Sequence, residues 1–546
     1  MSISSQQIFD ALSPYREGFP LHPDLTPGVI VSASNWQVAE EVLPEELLAR
    51  VRAGDLTITV APTQDFPLHE NYRAATLRYA ADVRLDAHGN LENYTAGLPF
   101  PLLDPADPYA GLKLAWNLRL RSLGGDTEEL HVVWTTLQGA RVEQSLEMHM
   151  WRLRLAHRAI LKPAEVLPNT LGLYHATVSQ ILSPARLHGW QSITYRYDDD
   201  RQPDDSWVYA PRRVTALGSD YHGEDGYGYN GSVHAQTWRY LGETVILAPV
   251  GIPRGAPSFG GRNGWYPADP YQLRRAHVLE AVSKDPGHHY TRRILYIDAQ
   301  LWMPFYTLGY NRQGEFFKLV FHLFGDPAYS PWCPGQQGPI NLGACAINYT
   351  RDHATLLPNV EQRFNHEVTG QPFIRAALEG KEPGEAAYQE RDGFAWIGIG
   401  RTARLSEIVL GRLYQSGLPD ERVLKEKGIA IVVNLTGGNH TAPWPGALSI
   451  AWPVADGELP DVEVLQSLSS WLADLLRTTD KKILVHCVAS VNRSSLLIGC
   501  ILQRFLGLSG EELIRYLEEK SGGYAILTNR KFREYLSSLG KIPAGD

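Results

Sequence analysis

Apolar and polar residues alternate along most of the first 375 positions of this 546-residue chain. Leu146-Glu-Met148-His-Met150 keeps period two, slips by one at Trp151 and resumes through Leu153 and Leu155, which predicts a long strand with a bulge. Ile193-Thr-Tyr195-Arg-Tyr197 alternates in the same way. Asp86-Ala-His-Gly89-Asn90 and Asn311-Arg-Gln-Gly314 lie between strand-like runs and predict hairpin turns, since Asp, Asn and Gly tolerate the backbone of a tight reversal. Helical signals are few here and fall in residues 44–53 and 164–182. The pattern predicts one large, mostly antiparallel sheet with a few helices over residues 1–375.

Residues 376–392 are small and charged and read as a linker. Beyond them strands and helices alternate. Ile429-Ala-Ile-Val-Val-Asn434-Leu and Ile483-Leu-Val485 read as buried strands. Residues 462–477, 494–505 and 511–519 carry helical periodicity, the second largely apolar. Residues 393–546 therefore read as an α/β domain.

Composition narrows the function. The 51 basic and 60 acidic residues leave a net charge of −9, mild for this length, and exclude a general nucleic-acid binder. No apolar run reaches the length of a membrane span. The first residues lack a basic segment followed by an apolar core, so the expected compartment is the cytoplasm. Cys333, Cys345, Cys487 and Cys500 form no C-x-x-C pair, so neither a zinc site nor a disulfide framework is expected.

The chemistry concentrates in His486-Cys487-Val488-Ala489-Ser490-Val491-Asn492-Arg493-Ser494, between a buried strand and an apolar helix. Successive backbone N–H groups of residues 488–492 and a helix N-terminus form a cradle for a dianionic phosphate. Cys487 is the candidate nucleophile. The backbone dipoles and Arg493 favour its thiolate. Arg493 carries a planar fork that matches two phosphoryl oxygens. Ser494 is placed to donate to the sulfur, as thiolate and as leaving group, and His486 supports the loop. Cys500, inside the apolar helix, reads as inert core. A proton for the leaving oxygen is expected from Asp456, 31 residues before Cys487 in a Pro/Gly-rich loop. Glu458 is a rival, and Asp461 reads as the cap of the next helix.

These motifs resemble the protein tyrosine and dual-specificity phosphatases, the bacterial atypical kind in particular, over residues 394–541. Arg412-Leu-Tyr414-Gln-Ser416-Gly417-Leu-Pro419 resembles that family's opening motif, and Thr528-Asn529-Arg-Lys-Phe532-Arg-Glu-Tyr-Leu536 its closing helix. The resemblance implies attack by Cys487 on phosphorus, protonation of the leaving alcohol by Asp456 and hydrolysis of a phosphocysteine, with no metal or other cofactor. The expected partner is a phosphorylated protein or a small phosphomonoester. Most members have Gly where this chain has Ser490, at a sharp backbone turn, so strain is expected there. Residues 488–492 include no Lys, which disfavours inositol phosphates. The competing expectation is a loop that holds phosphate without turnover.

The larger region resembles, over residues 20–360, a bacterial family of unknown function of the outer-membrane lipoprotein-sorting-like kind. The likeness lies in Asn93-Tyr-Thr-Ala-Gly97-Leu-Pro-Phe100, Asp107-Pro-Tyr-Ala-Gly111-Leu-Lys-Leu-Ala-Trp116-Asn117, Asp204-Asp-Ser-Trp207-Val-Tyr-Ala-Pro211-Arg-Arg213 and Arg293-Ile-Leu-Tyr296-Ile-Asp298. It implies a curved antiparallel sheet wrapped around helices, a half-barrel that encloses an apolar ligand. A fully packed sheet used as a docking surface is the alternative. His288-His289 reads as a solvated turn, and Asp198-Asp-Asp200 with Asp204-Asp205 as a solvated acidic hairpin without the glycine and terminal glutamate of a calcium loop.

Overall fold

The structure, a computed structural model, describes residues 3–161, 167, 170–202, 204–211, 219–251, 256–285, 288–329, 333, 335–379, 394–400, 405–417, 419, 421–436, 446–487, 490–520, 526–527 and 529–541. Two short pairs come first: β1 (Ile30–Val31) with β2 (Ile58–Thr59), and β3 (Arg84–Leu85) with β4 (Leu91–Glu92). Asp86 makes the turn between β3 and β4, its carboxylate accepting the N–H groups of His88 and Asn90.

Among the described residues, thirteen strands form one antiparallel sheet. Its first five strands are β5 (Thr127–Gln138), β6 (Arg141–Arg154), β7 (Leu173–Ser183), β8 (Gln191–Tyr197) and β9 (Asp205–Pro211). β10 (Gln236–Pro249) follows, and then β11 (Phe259–Gly260) and β12 (Tyr266–Pro267), which pair only with each other. The sheet resumes with β13 (Tyr271–Ser283), β14 (Arg292–Asp298), β15 (Pro304–Tyr310), β16 (Phe316–Gly325), β17 (Ile340–Asn348), β18 (His353–Phe364) and β19 (Phe394–Gly400). The chain enters mid-sheet at β5, walks outward to β9, crosses to the far edge at β10 and returns through β13–β18 until β18 pairs with β5. Asn311 turns β15 into β16, its side-chain carbonyl accepting from the N–H groups of Gln313 and Glu315.

Both faces are covered. On one, helix α2 (Glu45–Arg52) buries Leu47, Leu48 and Val51 against Ile246, Ile294 and Phe321. On the other, α1 (Ser5–Ala11), α3 (Glu70–Tyr79) and α4 (Ala110–Leu120) pack Ile8, Tyr72, Leu114 and Leu118 against Leu279, Leu295 and Ile297. A side chain of this size contributes about 1.5–3 kcal/mol when fully buried. Gly111 lets α4 touch the sheet: a Cβ there would lie 2.8 Å from the backbone of Trp238.

Four expectations are corrected. Of the helical signal in 164–182, the described residues 173–182 belong to β7, because β6 and β8 satisfy its backbone on both sides. The extra residue of β6 is Glu143, skipped where Thr136 and Leu137 pair with Gln144 and Val142; at Glu147/Met148 the extra residue is Leu182 of β7, and Trp151 pairs regularly with Glu129 and Val178. The stretch expected as linker begins inside a helix, α5 (Pro372–Glu379), whose Ile374 and Ala377 pack on Leu153, Ala176 and Ile193. Residues 380–393 lie outside the described ones. β19, expected to open the α/β region, pairs instead with β9 and covers what would otherwise be a bare sheet edge.

The last part forms a five-stranded sheet with the order β20 (Ser406–Val409), β21 (Leu413–Ser416), β24 (Lys482–His486), β22 (Ile429–Asn434), β23 (Leu448–Ala451). β21, β24, β22 and β23 are parallel, and β20 is antiparallel. Leu484 faces Leu424 of α6 (Glu421–Lys427). Ile483 and Val485 face the opposite way, into a core shared with α7 (Val462–Thr478), α8 (Arg493–Leu506), α9 (Gly510–Lys520) and α10 (Arg530–Ser538). Among the described residues no helix is long and apolar enough to cross a membrane.

Candidate active site

β24 is the middle strand of the parallel sheet, and its end leads directly into the loop before α8. His486 is fully buried there, and its carbonyl accepts the N–H of Leu435 at 3.0 Å. Cys487 follows, 1% exposed, with its N–H directed at the carbonyl of Ser416 at 3.4 Å. The sulfur stands 3.3 Å from Oγ of Ser494. Val488 and Ala489 lie outside the described residues.

Ser490 has φ = +58°, the left-handed region that costs an L-residue with a Cβ about 1–2 kcal/mol. The backbone is held there from two sides. The Ser490 carbonyl accepts from Nε2 of Gln415 at 2.8 Å, and the Val491 carbonyl accepts from the N–H of Leu527 at 2.8 Å. Asn492 occupies the N-cap position of α8 without capping it. Its Oδ1 instead accepts from the N–H of Asn529 at 2.9 Å, and its Nδ2 reaches Oδ2 of Asp456 at 3.5 Å.

Arg493 begins α8 and is nearly buried. Its Nη1 donates to the carbonyls of Val454 at 3.3 Å and Leu435 at 3.5 Å, joining the helix to the loop that carries Asp456. The other edge of the guanidinium is turned toward Asp456, with Nε 3.9 Å from Oδ2, and no acceptor among the described residues lies within hydrogen-bond distance of that Nε. Asp456 is itself 40% exposed. Its two rivals are engaged elsewhere. Asp461 caps α7 by accepting from the N–H groups of Glu463 and Val464, as expected, and Glu458 pairs with Lys531.

The structure thus brings Cys487, Ser494, Arg493, Asp456, Ser490, Val491 and Asn492 to one end of one strand. Cys500 makes the contrast: burial pushes its thiol up to about 12, so it stays protonated and inert. Gln415 is the residue that sequence reasoning missed. From β21 it sends one amide nitrogen to the Ser490 carbonyl, to Ser494 Oγ at 3.1 Å and to Ser495 Oγ at 2.7 Å. Gln415 has two amide hydrogens for these three acceptors, and when one goes to Ser494 Oγ the Ser494 hydroxyl is free to donate to the sulfur. The one signal in the sequence was its place in the opening motif.

The acidic hairpin and the histidine turn of the N-terminal region are solvated only in part: Asp198, Asp199 and His289 are exposed, and the others are engaged. Asp200 pairs with Arg119 at 2.9 Å, and Asp204 grips Arg196. Buried Asp205 accepts from the hydroxyl of Tyr197 at 2.5 Å. His288 bonds Glu224 at 3.1 Å. Among the described residues no group of His, Cys, Asp and Glu has the arrangement of a metal site.

The family model described as "Protein of unknown function (DUF1329)" matches residues 30–356. No curated protein matches. A putative outer membrane lipoprotein-sorting protein domain from Vibrio parahaemolyticus is 14% identical, covering 50% of this chain and 100% of its own at a TM-score of 0.35. Tk-PTP in the active form is 26% identical and covers 24% of this chain and 95% of its own, at 0.21. A mouse putative dual specificity phosphatase is 20% identical and covers 24% of this chain and 83% of its own, at 0.22. At these scores the chemistry of the site is read from its geometry alone.

Proposed function

The chain belongs to the DUF1329 family of proteins of unknown function, and since that membership leaves its activity open we propose, from the Cys487 site, that it is a cysteine-dependent phosphomonoester hydrolase. The observation that carries the reading is the pairing of Cys487 Sγ with Ser494 Oγ at 3.3 Å, at a strand-to-helix junction where Arg493 faces Asp456.

The substrate phosphoryl group enters the loop between residues 487 and 493. Its oxygens take hydrogen bonds from loop N–H groups and from the free edge of Arg493, displacing Asp456 from that guanidinium. Asp456, protonated, then serves as general acid. The Cys487 thiolate attacks phosphorus in line as the P–O ester bond breaks, and Asp456 gives its proton to the leaving oxygen. A water molecule next attacks the phosphocysteine. Asp456, now a carboxylate, takes the water's proton, and the S–P bond breaks to return thiolate and release inorganic phosphate. Ser494 stabilises the sulfur both as nucleophile and as leaving group.

The large sheet would localise this activity or present a ligand to it. In the competing reading the loop binds phosphate without turnover, and the strained Ser490 is what favours it. Hydrolysis of an aryl phosphate by the full chain decides between them. Turnover that is insensitive to chelator and abolished in Cys487→Ser is the expected result. Turnover retained in Cys487→Ser, or lost on chelation in the wild type, refutes the mechanism.

A further inference from the structure

Strands β6, β7 and β8 present two unlike faces. Leu153, Ala176 and Ile193 turn toward α5. The reverse face carries Arg152 and Arg154, two apart on β6 and therefore on the same side. The register sets Arg154 opposite His175 and His175 opposite Arg196, so a cation, an imidazole and a second cation form one row across three strands. Arg119 and Arg121 reach the same place from the end of α4. The ring of Tyr174 lies 5.4 Å from the guanidinium of Arg119 and 5.2 Å from that of Arg154.

Four of the five arginines are buried and the side chain of Arg119 is 6% exposed, yet their charges are unevenly matched. Arg119 pairs with Asp200 at 2.9 Å, Arg152 with Glu128 at 3.0 Å and Arg196 with Asp204 at 2.9 Å. Arg121 and Arg154, 2% and 3% exposed, have no carboxylate within ion-pair distance among the described residues. Arg121 makes do with the carbonyls of Leu118, Tyr227 and Tyr229 and the sulfur of Met303, and Arg154 with the carbonyl of Arg121. Both Nη atoms of Arg152, Nε of Arg154, Nδ1 of His175 and the hydroxyl of Tyr174 are buried with no hydrogen-bond partner among the described residues. Burial, reinforced by Arg152 and Arg154, pulls Arg121 down to about 9. A protein interior does not hold unpaired cations and idle donors together without cost, and the group that answers both is an anion.

We propose that this face is a binding site for one anionic head group, a carboxylate or phosphate on a small molecule, with Arg121, Arg152, Arg154 and the Tyr174 hydroxyl as its donors. The donor set is forked and planar where two oxygens must be gripped, which suits either anion. The site lies within the stretch matched by the family model and is independent of Cys487.

The test uses the full chain stripped of any co-purifying ligand. Inorganic phosphate, oleate and lysophosphatidate are titrated separately by calorimetry against wild type, Tyr174→Phe, Arg154→Met and Arg493→Met. One saturable equivalent is expected for at least one probe in wild type. It is expected to persist in Arg493→Met, which removes the phosphate grip of the other site. Loss of a single donor to a charged group should weaken it about 10–100-fold in Tyr174→Phe, with a larger loss in Arg154→Met. Phosphate binding as tightly as lysophosphatidate identifies a free-anion site, and binding of the amphiphiles alone identifies a lipid head group. If Arg154→Met fails to fold, the isosteric Tyr174→Phe decides. No saturable binding of any probe, or equal binding by wild type and Tyr174→Phe, overturns the proposal.

Discussion

Replacing Gln415 with Leu keeps the volume of the side chain but removes the amide that donates to Ser490 O, Ser494 Oγ and Ser495 Oγ at 2.8, 3.1 and 2.7 Å. Two consequences separate cleanly. The three acceptors lose the two amide hydrogens they share, which at about 1 kcal/mol each lowers stability by about 2 kcal/mol. Ser494 also loses the contact that fixes its rotor, so its proton no longer points at Cys487 by default. A hydrogen bond to a charged acceptor is worth about 1.5–3 kcal/mol, and losing about half of it in the transition state slows turnover about tenfold. Ser494→Ala deletes the same hydrogen bond directly and should cost at least as much. Since both changes act through one contact to the sulfur, the double variant should be no slower than Ser494→Ala alone. The assay is steady-state kcat and kcat/KM on an aryl phosphate, with thermal denaturation to show that each variant is folded at the assay temperature. Additive losses in the double variant, or full activity in a folded Gln415→Leu, would refute the relay from Gln415 through Ser494 to Cys487.

Asp456→Asn should lower turnover about 10²–10⁴-fold, with a smaller loss for substrates with good leaving groups; if Glu458→Gln gives that signature instead, the acid is misassigned. Ser490→Gly removes a Cβ from a φ of +58° and should raise stability by about 1 kcal/mol by chemical denaturation; an unchanged or lower stability means the loop relaxes around the serine. Burial pulls His322 down to about 3, while its unfolded form titrates near 6.5. The unfolded chain therefore binds the extra proton, so stability falls as pH drops from about 6.5 and levels off near 3. His322→Gln should flatten the slope of Tm against pH between 6.5 and 4, and an unchanged slope counts against it.

The site loop was legible because its residues are contiguous. Strand, thiol, arginine and helix follow one another within fourteen residues, so local pattern and tertiary position coincide. The hairpin turns at Asp86 and Asn311 were legible for the same reason, each closed by its own side chain. What stayed hidden depends on partners far away in sequence. Leu173–Ser183 carries apolar residues at spacings that fit either period, and only the neighbours β6 and β8 decide for a strand. The acidic runs looked solvated because the arginines that neutralise them, Arg119 and Arg196, arrive from another element or another strand. Gln415 is an ordinary polar residue until β21 is laid beside β24.

β19 has a mechanical consequence. Its seven residues are stitched along β9, and only five residues then separate Gly400 from Ser406, the first residue of the second sheet. At about 3.3–3.6 Å per residue that leash reaches about 20 Å at most. Were the large sheet to hold the substrate proposed for the Cys487 site, molecule and thiol would not meet as freely diffusing species. Their encounter would be intramolecular, at an effective concentration on the order of millimolar set by covalent geometry. The abundance of the protein in the cell drops out of that step, and the length of the leash becomes the quantity that selection, or an engineer inserting residues there, has to tune.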